Sequence, residues 1–315
     1  DASSGNTIGG TSVEDMNIIG GGIYIRGAGS TYNKIYGNYI GTDITGDTAI
    51  DRNEAGVYMY DSASYNAVGG VDANMGNLIS GNNTYGIMFT GGQTAYNTVQ
   101  NNYLGVASDL MSSLDNGSYE VRIAAGAHHN YIGDSTAGNI IGTATTALVE
   151  ISASPNNYVR NNIIGTDASL TSDLGTSATA IRISGTASNN NFIGGTSAAE
   201  GNVIANAVIG IATVTGGYQN RLLNNTFPNL EEQAIDLKND GVTNNDNLDT
   251  DGSASQPNNY LQNFPEMFDA DSVAGGVRIC GELNSNANEL FTLTFYKSTN
   301  QTTSTFGAGE EIIGS

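Results

Sequence analysis

A short unit, Asn-x-aliphatic, recurs through the first 237 of the 315 residues and limits what this chain can fold into. It stands at Asn6-Ile8, Asn33-Ile35, Asn66-Val68, Asn97-Val99, Asn130-Ile132, Asn157-Val159, Asn191-Ile193 and Asn220-Leu222. A second Asn-x-apolar unit follows each: Asn17-Ile19, Asn38-Ile40, Asn77-Ile79, Asn102-Leu104, Asn139-Ile141, Asn162-Ile164, Asn202-Ile204 and Asn225-Phe227. The separation of first from second Asn runs 11, 5, 11, 5, 9, 5, 11, 5. An apolar-x-apolar unit precedes each first Asn from Asn33 onward: Ile23-Ile25, Val57-Met59, Ile87-Phe89, Val121-Ile123, Val149-Ile151, Ile181-Ile183 and, weakly, Ile211-Thr213. Ile235-Leu237 opens one more turn.

Three period-two segments per ~30 residues are the mark of a solenoid. Each segment is too short for a helix and alternates as a strand does. One turn cannot bury its apolar side alone, whereas stacked turns can. The pattern predicts an all-β fold, a three-faced parallel β-helix of about eight turns over residues 1–237, roughly 40 Å long at ~4.8 Å per turn. The strong chirality of parallel crossovers makes it right-handed. A β-propeller needs blades of about 40 residues with antiparallel hairpins, which the 5-residue separations exclude.

In Asn-x-Ile both side chains point to one side of the strand, the inside. Inward amides need partners, and stacking at one height supplies them as a ladder. The Asn residues therefore read as scaffold. Neighbouring glycines (Gly9, Gly10, Gly37, Gly69, Gly70, Gly76, Gly138, Gly194, Gly195, Gly201) read as corners requiring positive φ. The alternating separations make the true repeat two turns, with outward loops opening at Gly41-Thr42-Asp43, Gly105-Val106-Ala107 and Gly165-Thr166-Asp167.

Composition agrees. The 42 Gly and 40 Asn disfavour long helices. A formal net charge of −21, from 10 Lys+Arg against 31 Asp+Glu, disfavours nucleic acid and anionic membranes as partners. No apolar run approaches the ~20 residues of a membrane span, so membrane insertion is not expected. The single cysteine, Cys280, excludes an internal disulfide framework. The chain opens on Asp1 rather than Met, as expected of a processed or trimmed piece.

The run Asn191-Phe-Ile-Gly-Gly-Thr, then Gly201-Asn-Val-Ile, and the run Gly37-Asn-Tyr-Ile-Gly-Thr-Asp resemble large secreted bacterial and archaeal right-handed parallel β-helix repeat proteins. The likeness continues through Asn239-Asp-Gly-Val-Thr243 and Leu261-Gln-Asn-Phe-Pro265. It reaches Gly281-Glu-Leu-Asn-Ser285, Phe291-Thr-Leu-Thr-Phe-Tyr296 and Gly307-Ala-Gly-Glu310, which look like that family's link into a β-sandwich. The resemblance implies an exported cell-surface protein and no particular reaction.

Residues 238–271 change character to an acidic, Asn/Asp-rich linker. Within it Asn247, Asp249 and Asp251, followed by Gly252, have the alternate oxygen spacing of a calcium loop. Position twelve is Asn258 rather than Glu, so this is not a complete EF-hand, and a solvated acidic linker is the competing reading. Residues 272–315 alternate as strands and read as a partial β-sandwich, being short for an independent domain.

Many parallel β-helices are polysaccharide lyases or hydrolases, with carboxylates gathered on an outer face. The outward middle column here reads Tyr24, Tyr58, Met88, Arg122, Glu150, Arg182, Ala212, Asp236. One central acid between two arginines fits an ion-pair ladder on a solvated face; a remnant catalytic or sugar-binding cluster is the alternative. No catalytic residue and no cofactor other than calcium is assigned. His128 and His129 lack further local ligands and read as a surface loop. Tyr24, Tyr58 and Tyr60 are candidate contact residues for sugars or proteins, although strand propensity also accounts for them.

These features lead to the expectation of an extracellular structural or adhesive rod, secreted or on the cell surface. Its partners would be a second copy, head-to-tail as array or filament, or other surface proteins or glycans. A carbohydrate-active enzyme on the same scaffold is the alternative, and a trimeric spike a third.

Overall fold

The computed structural model describes residues 2–50, 53–250, 258–298 and 309–315. Three parallel sheets wrap a single core. Sheet A stacks Thr7–Gly9, Lys34–Tyr36, Ala67–Gly69, Thr98–Gln100, Tyr131–Ile132, Tyr158–Val159, Phe192–Gly194 and Arg221–Leu223. Sheet B stacks seven two-residue strands from Ile18–Ile19 to Val203–Ile204. Sheet C carries the longer strands: Ile23–Arg26, Ala55–Tyr60, Tyr85–Thr90, Tyr119–Ala124, Ala147–Ser152, Thr176–Ser184, Ala207–Val214 and Ile235–Leu237. Among the described residues the only helices are five short 3-10 turns, and no helix is long and apolar enough to cross a membrane.

Seven turns carry all three strands; the eighth keeps A and C but reduces B to one bridge, Thr226 to Val203. Pro228 follows directly and has no N–H to extend a ladder. Phe227 instead donates its N–H to Gly309 O at 3.0 Å.

Inward residues lie in columns. Ile35, Val68, Val99, Ile132, Val159 and Ile193 form one on sheet A, and Ile40, Ile79, Leu104, Ile141, Ile164 and Ile204 another on sheet B, all fully buried. Both expected Asn ladders form with eight rungs each, Asn6 to Asn220 and Asn17 to Asn225. The backbone N–H and Nδ2 of one Asn both donate to the Oδ1 of the Asn one turn on. Asn97 does so to Asn130 at 3.1 and 2.9 Å, while its Nδ2 also reaches Ala63 O at 3.1 Å.

The glycines divide into two kinds. Gly9, Gly69 and Gly194 have φ of 78°, 69° and 80°, as corners require. Gly76, Gly138 and Gly201 do not have positive φ. Their reason is space, because a Cβ there would strike the carbonyl oxygens of Asn101, Asn161 and Asn224 on the next turn.

The outward loops form every second turn as small hairpins closed by the bridges Thr42 to Ala49, Val106 to Ser113 and Thr166 to Asp173. The second leans on the first, with Ser108 N–H donating to Gly46 O at 3.1 Å. Beyond the solenoid, Glu266–Val273 and Gly276–Glu282 form one antiparallel hairpin, and Phe295–Lys297 pairs with Glu311–Gly314. These hairpins do not build a sandwich among the described residues. Tyr296 packs on Phe227 with ring centroids 6.4 Å apart, and burial pushes its hydroxyl up to about 12.

Candidate functional site

The outer face of sheet C carries the expected column in register: Tyr24 beside Tyr58, Met88 beside Arg122, then Glu150, Arg182, Ala212 and Asp236. Its centre is not a solvated ion-pair ladder. Glu150 is 1% exposed and Ala212 fully buried. Arg122 Nε and Arg182 Nη1 each approach a different Glu150 oxygen at 2.7 Å. The Ser184 hydroxyl donates to Oε1 at 3.1 Å. Arg122 also donates to the Tyr85 hydroxyl at 3.2 Å and lies over the Tyr119 ring, 5.2 Å from its centroid. Burial works against the Arg122 charge, but the Glu150 carboxylate outweighs it and raises the guanidinium pKa above its ordinary value. The side chains that roof Glu150 come from strands on both sides, which period-two reading of one strand cannot reveal.

Tyr24, Tyr58 and Tyr60 do gather at the first-turn end of this face. Their centroids are 5.9 Å (Tyr24–Tyr58) and 5.0 Å (Tyr58–Tyr60) apart, tilted by 48° and 42°. Arg26 lies over Tyr60 and pairs with Asp61 at 2.7 Å. Tyr24 is 48% exposed.

A second aromatic row runs along the corner between sheets C and A. Tyr32, Tyr65, Tyr96 and His129 stack one per turn with centroids 5.6, 5.0 and 5.2 Å apart. Each immediately precedes a rung of the first ladder and has φ between 52° and 59°. Later turns fill the same left-handed position with Asn156, Asn190 and Gln219. Strand propensity does not explain aromatic rings at this position, since none of the row is extended backbone. Stacking turns the ring faces toward one another and the edges outward, leaving Tyr32, Tyr65 and Tyr96 62, 47 and 39% exposed. Sequence reading that followed tyrosines on strands passed over this row; the signal was an aromatic residue directly before a ladder Asn. On sheet A proper, Tyr131, Tyr158 and Phe192 continue the stacking at 4.6 and 5.0 Å, with Arg160 over Tyr158.

His128 and His129 meet through their Nδ1 atoms at 2.8 Å, and burial beside His128 lowers the His129 pKa. No group of three His, Cys, Asp or Glu among the described residues is placed to hold a metal ion. Of the calcium-loop candidates, Asn247 and Asp249 lie in one 3-10 turn, and Asp251 falls outside the described residues. Asp249 is buried, with Oδ1 accepting from the Asn263 N–H and Oδ2 from the Ser285 hydroxyl, both at 3.0 Å.

A third ladder lies inside the corner between sheets B and C. Asn82 donates to Asn116 Oδ1 from its backbone N and Nδ2, at 3.1 and 2.7 Å. Asn116 donates in turn to the carboxyl of Glu120, from N to Oε1 at 3.1 Å and from Nδ2 to Oε2 at 2.5 Å. Glu120 is fully buried, and burial pushes its pKa up to about 8.

No protein-family model, curated protein or solved structure matches the chain.

Proposed function

We propose that this chain is a secreted cell-surface rod of the right-handed parallel β-helix repeat type, serving adhesion or interaction rather than catalysis. The observation that carries the reading is the corner row Tyr32, Tyr65, Tyr96. Three large apolar side chains are kept exposed on left-handed backbone, where the fold itself accepts Asn or Gln. Left-handed φ disfavours bulky residues, so the rings are maintained against local preference. Aromatic edges and hydroxyls in a straight row suit a flat protein or glycan surface. Tyr24, Tyr58 and Tyr60 add a second contact area on sheet C.

The enzymatic alternative rests on the Arg122–Glu150–Arg182 cluster. Glycosidase chemistry requires two carboxyl groups about 5–9 Å apart. Here one carboxylate stands between two guanidinium groups, with both oxygens engaged. At the C-terminal end of the first ladder Asn259 Oδ1 accepts from the Asn220 N–H at 2.9 Å, while Asn220 Nδ2 keeps no partner.

The test is co-sedimentation with isolated cell envelopes and with insoluble neutral and acidic glycans. Wild-type protein is expected to pellet with at least one of them. The triple variant Tyr32→Ser/Tyr65→Ser/Tyr96→Ser is expected to stay in solution while keeping its melting temperature. Equal pelleting of the variant, or none by the wild type, rejects the reading.

A further inference from the structure

At the C-terminal end of the solenoid the core does not close. Leu222, Ile235 and Leu237 are the inward residues of the last turn, and among the described residues no further strand pairs with that turn. With Val242 and Phe264 they line a cavity of about 490 Å³. Small-molecule sites typically occupy about 300–1,000 Å³ and are mostly apolar with a few fixed polar groups.

Two polar atoms in this lining lack partners. Five buried side-chain N or O atoms among the described residues have none, and two of them, Asn220 Nδ2 and Gln233 Oε1, belong to this one cavity. Asn220 is the eighth rung of the first ladder and only 6% exposed. In earlier rungs Nδ2 donates to the next Asn. At Asn220 the next residue in line, Asn259, receives only the backbone N–H and returns its own Nδ2 to Asn220 O at 2.7 Å. A buried unpaired donor or acceptor costs roughly 1–3 kcal/mol. One of each on the same cavity therefore favours an occupant that satisfies both. None of the lining residues is charged, so an ionic occupant would lose its hydration without compensation.

We infer that this cavity binds a small uncharged molecule with an apolar body and an amide group, whose C=O accepts from Asn220 Nδ2 and whose N–H donates to Gln233 Oε1. The site lies at the end of the rod, apart from the aromatic rows, and is independent of the adhesive reading.

The probes are acetanilide and N-benzylacetamide, followed by saturation-transfer NMR and calorimetry on the full chain, with toluene, benzoate and benzamidine as comparators. At least one amide is expected to bind at least tenfold tighter than toluene, and the two ions are expected not to bind. Substituting Asn220 would break the ladder, so Gln233, whose side chain holds nothing in the fold, is the residue to change. Gln233→Leu is expected to weaken the bound amide tenfold or more, and Ala234→Phe to abolish its binding by filling the cavity. Gln233→Leu, which removes an unpaired buried acceptor, should melt at or above the wild type, and Ala234→Phe should keep the wild-type circular dichroism. Failure of both amides to bind at millimolar concentration, toluene binding as tightly as the amides, or amide binding unaffected by both substitutions would each overturn the site.

Discussion

Glu120 gives the sharpest physical prediction. It is a carboxyl group with no exposed surface, acting as the last acceptor of the ladder from Asn82 through Asn116. Water is lost to the charged form, and the Asn116 N–H and Nδ2 replace only part of it, so the folded protein holds this proton up to about pH 8 against an ordinary 4.5. Between those values the folded state carries more protons than the unfolded chain, so stability falls as pH rises. The contribution is complete below pH 4.5 and lost by about pH 8. At about 1.36 kcal/mol per tenfold change in proton activity, that interval is on the order of 4–5 kcal/mol, a large part of the ~5–15 kcal/mol that stabilises a typical domain. Glu120→Gln removes the titration and keeps an oxygen for Asn116, which one Asn Oδ1 serves alone in every other rung. Chemical denaturation of both proteins from pH 5 to 9 isolates the effect, because the protein's general acidity and the raised pKa of Asp236 act on both equally. The variant is expected to lie within about 1 kcal/mol of wild type at pH 5 and to exceed it by several kcal/mol at pH 9. Parallel curves across the range would refute the reasoning.

Three further outcomes follow from the same geometry. Asn97→Leu removes the Oδ1 that accepts twice from Asn66 and the Nδ2 that donates to Asn130 and to Ala63 O, while the backbone N–H bond to Asn130 stays, and is expected to cost about 1–3 kcal/mol, whereas the outward change Thr98→Ala stays within about 0.5 kcal/mol; equal costs in denaturant titrations would mean inside and outside are reversed. Glu150→Gln leaves Arg122 and Arg182 without their shared anion and is expected to cost about 1–3 kcal/mol, less than a fully buried pair because both arginines are partly exposed; an unchanged unfolding midpoint contradicts this. For calcium at Asn247, Asp249 and Asp251, a chelator is expected to lower the melting temperature or to speed hydrogen exchange first within residues 238–271. Identical melting and exchange with and without chelator reject the ion.

Much of the architecture could be read directly because a solenoid repeats its interactions at fixed spacing. Asn-x-aliphatic states at once which side chains turn inward and which amides meet. The limits appear where geometry depends on another turn. Gly138 owes its identity to the Asn161 carbonyl above it, 23 residues away in the chain, rather than to its own φ. The ladder of Asn82 and Asn116 lacks the repeat spacing because a hairpin loop, closed by Val106 and Ser113, precedes Asn116 while Asn82 follows its strand after a short turn, and its final acceptor is a Glu. Glu150 alternates as an outward residue but is enclosed by Arg122, Arg182 and Ser184 from neighbouring turns. At Asp249 the sequence shows an acid in a polar linker but not that its oxygens accept from Asn263 and Ser285, 14 and 36 residues further on. The corner tyrosines were hidden for a different reason: they sit on turn residues, outside the strand alternation used to sort inward from outward.

The reading of this chain as an interaction rod rather than a carbohydrate-active enzyme is tested most directly by incubating it with a panel of acidic and neutral polysaccharides, with and without calcium, and assaying for new chain ends. The account predicts that no unsaturated or reducing ends appear above the rate of the polysaccharide alone. Release of such ends by the wild-type chain, abolished by Glu150→Gln, would contradict it and place the chemistry on sheet C.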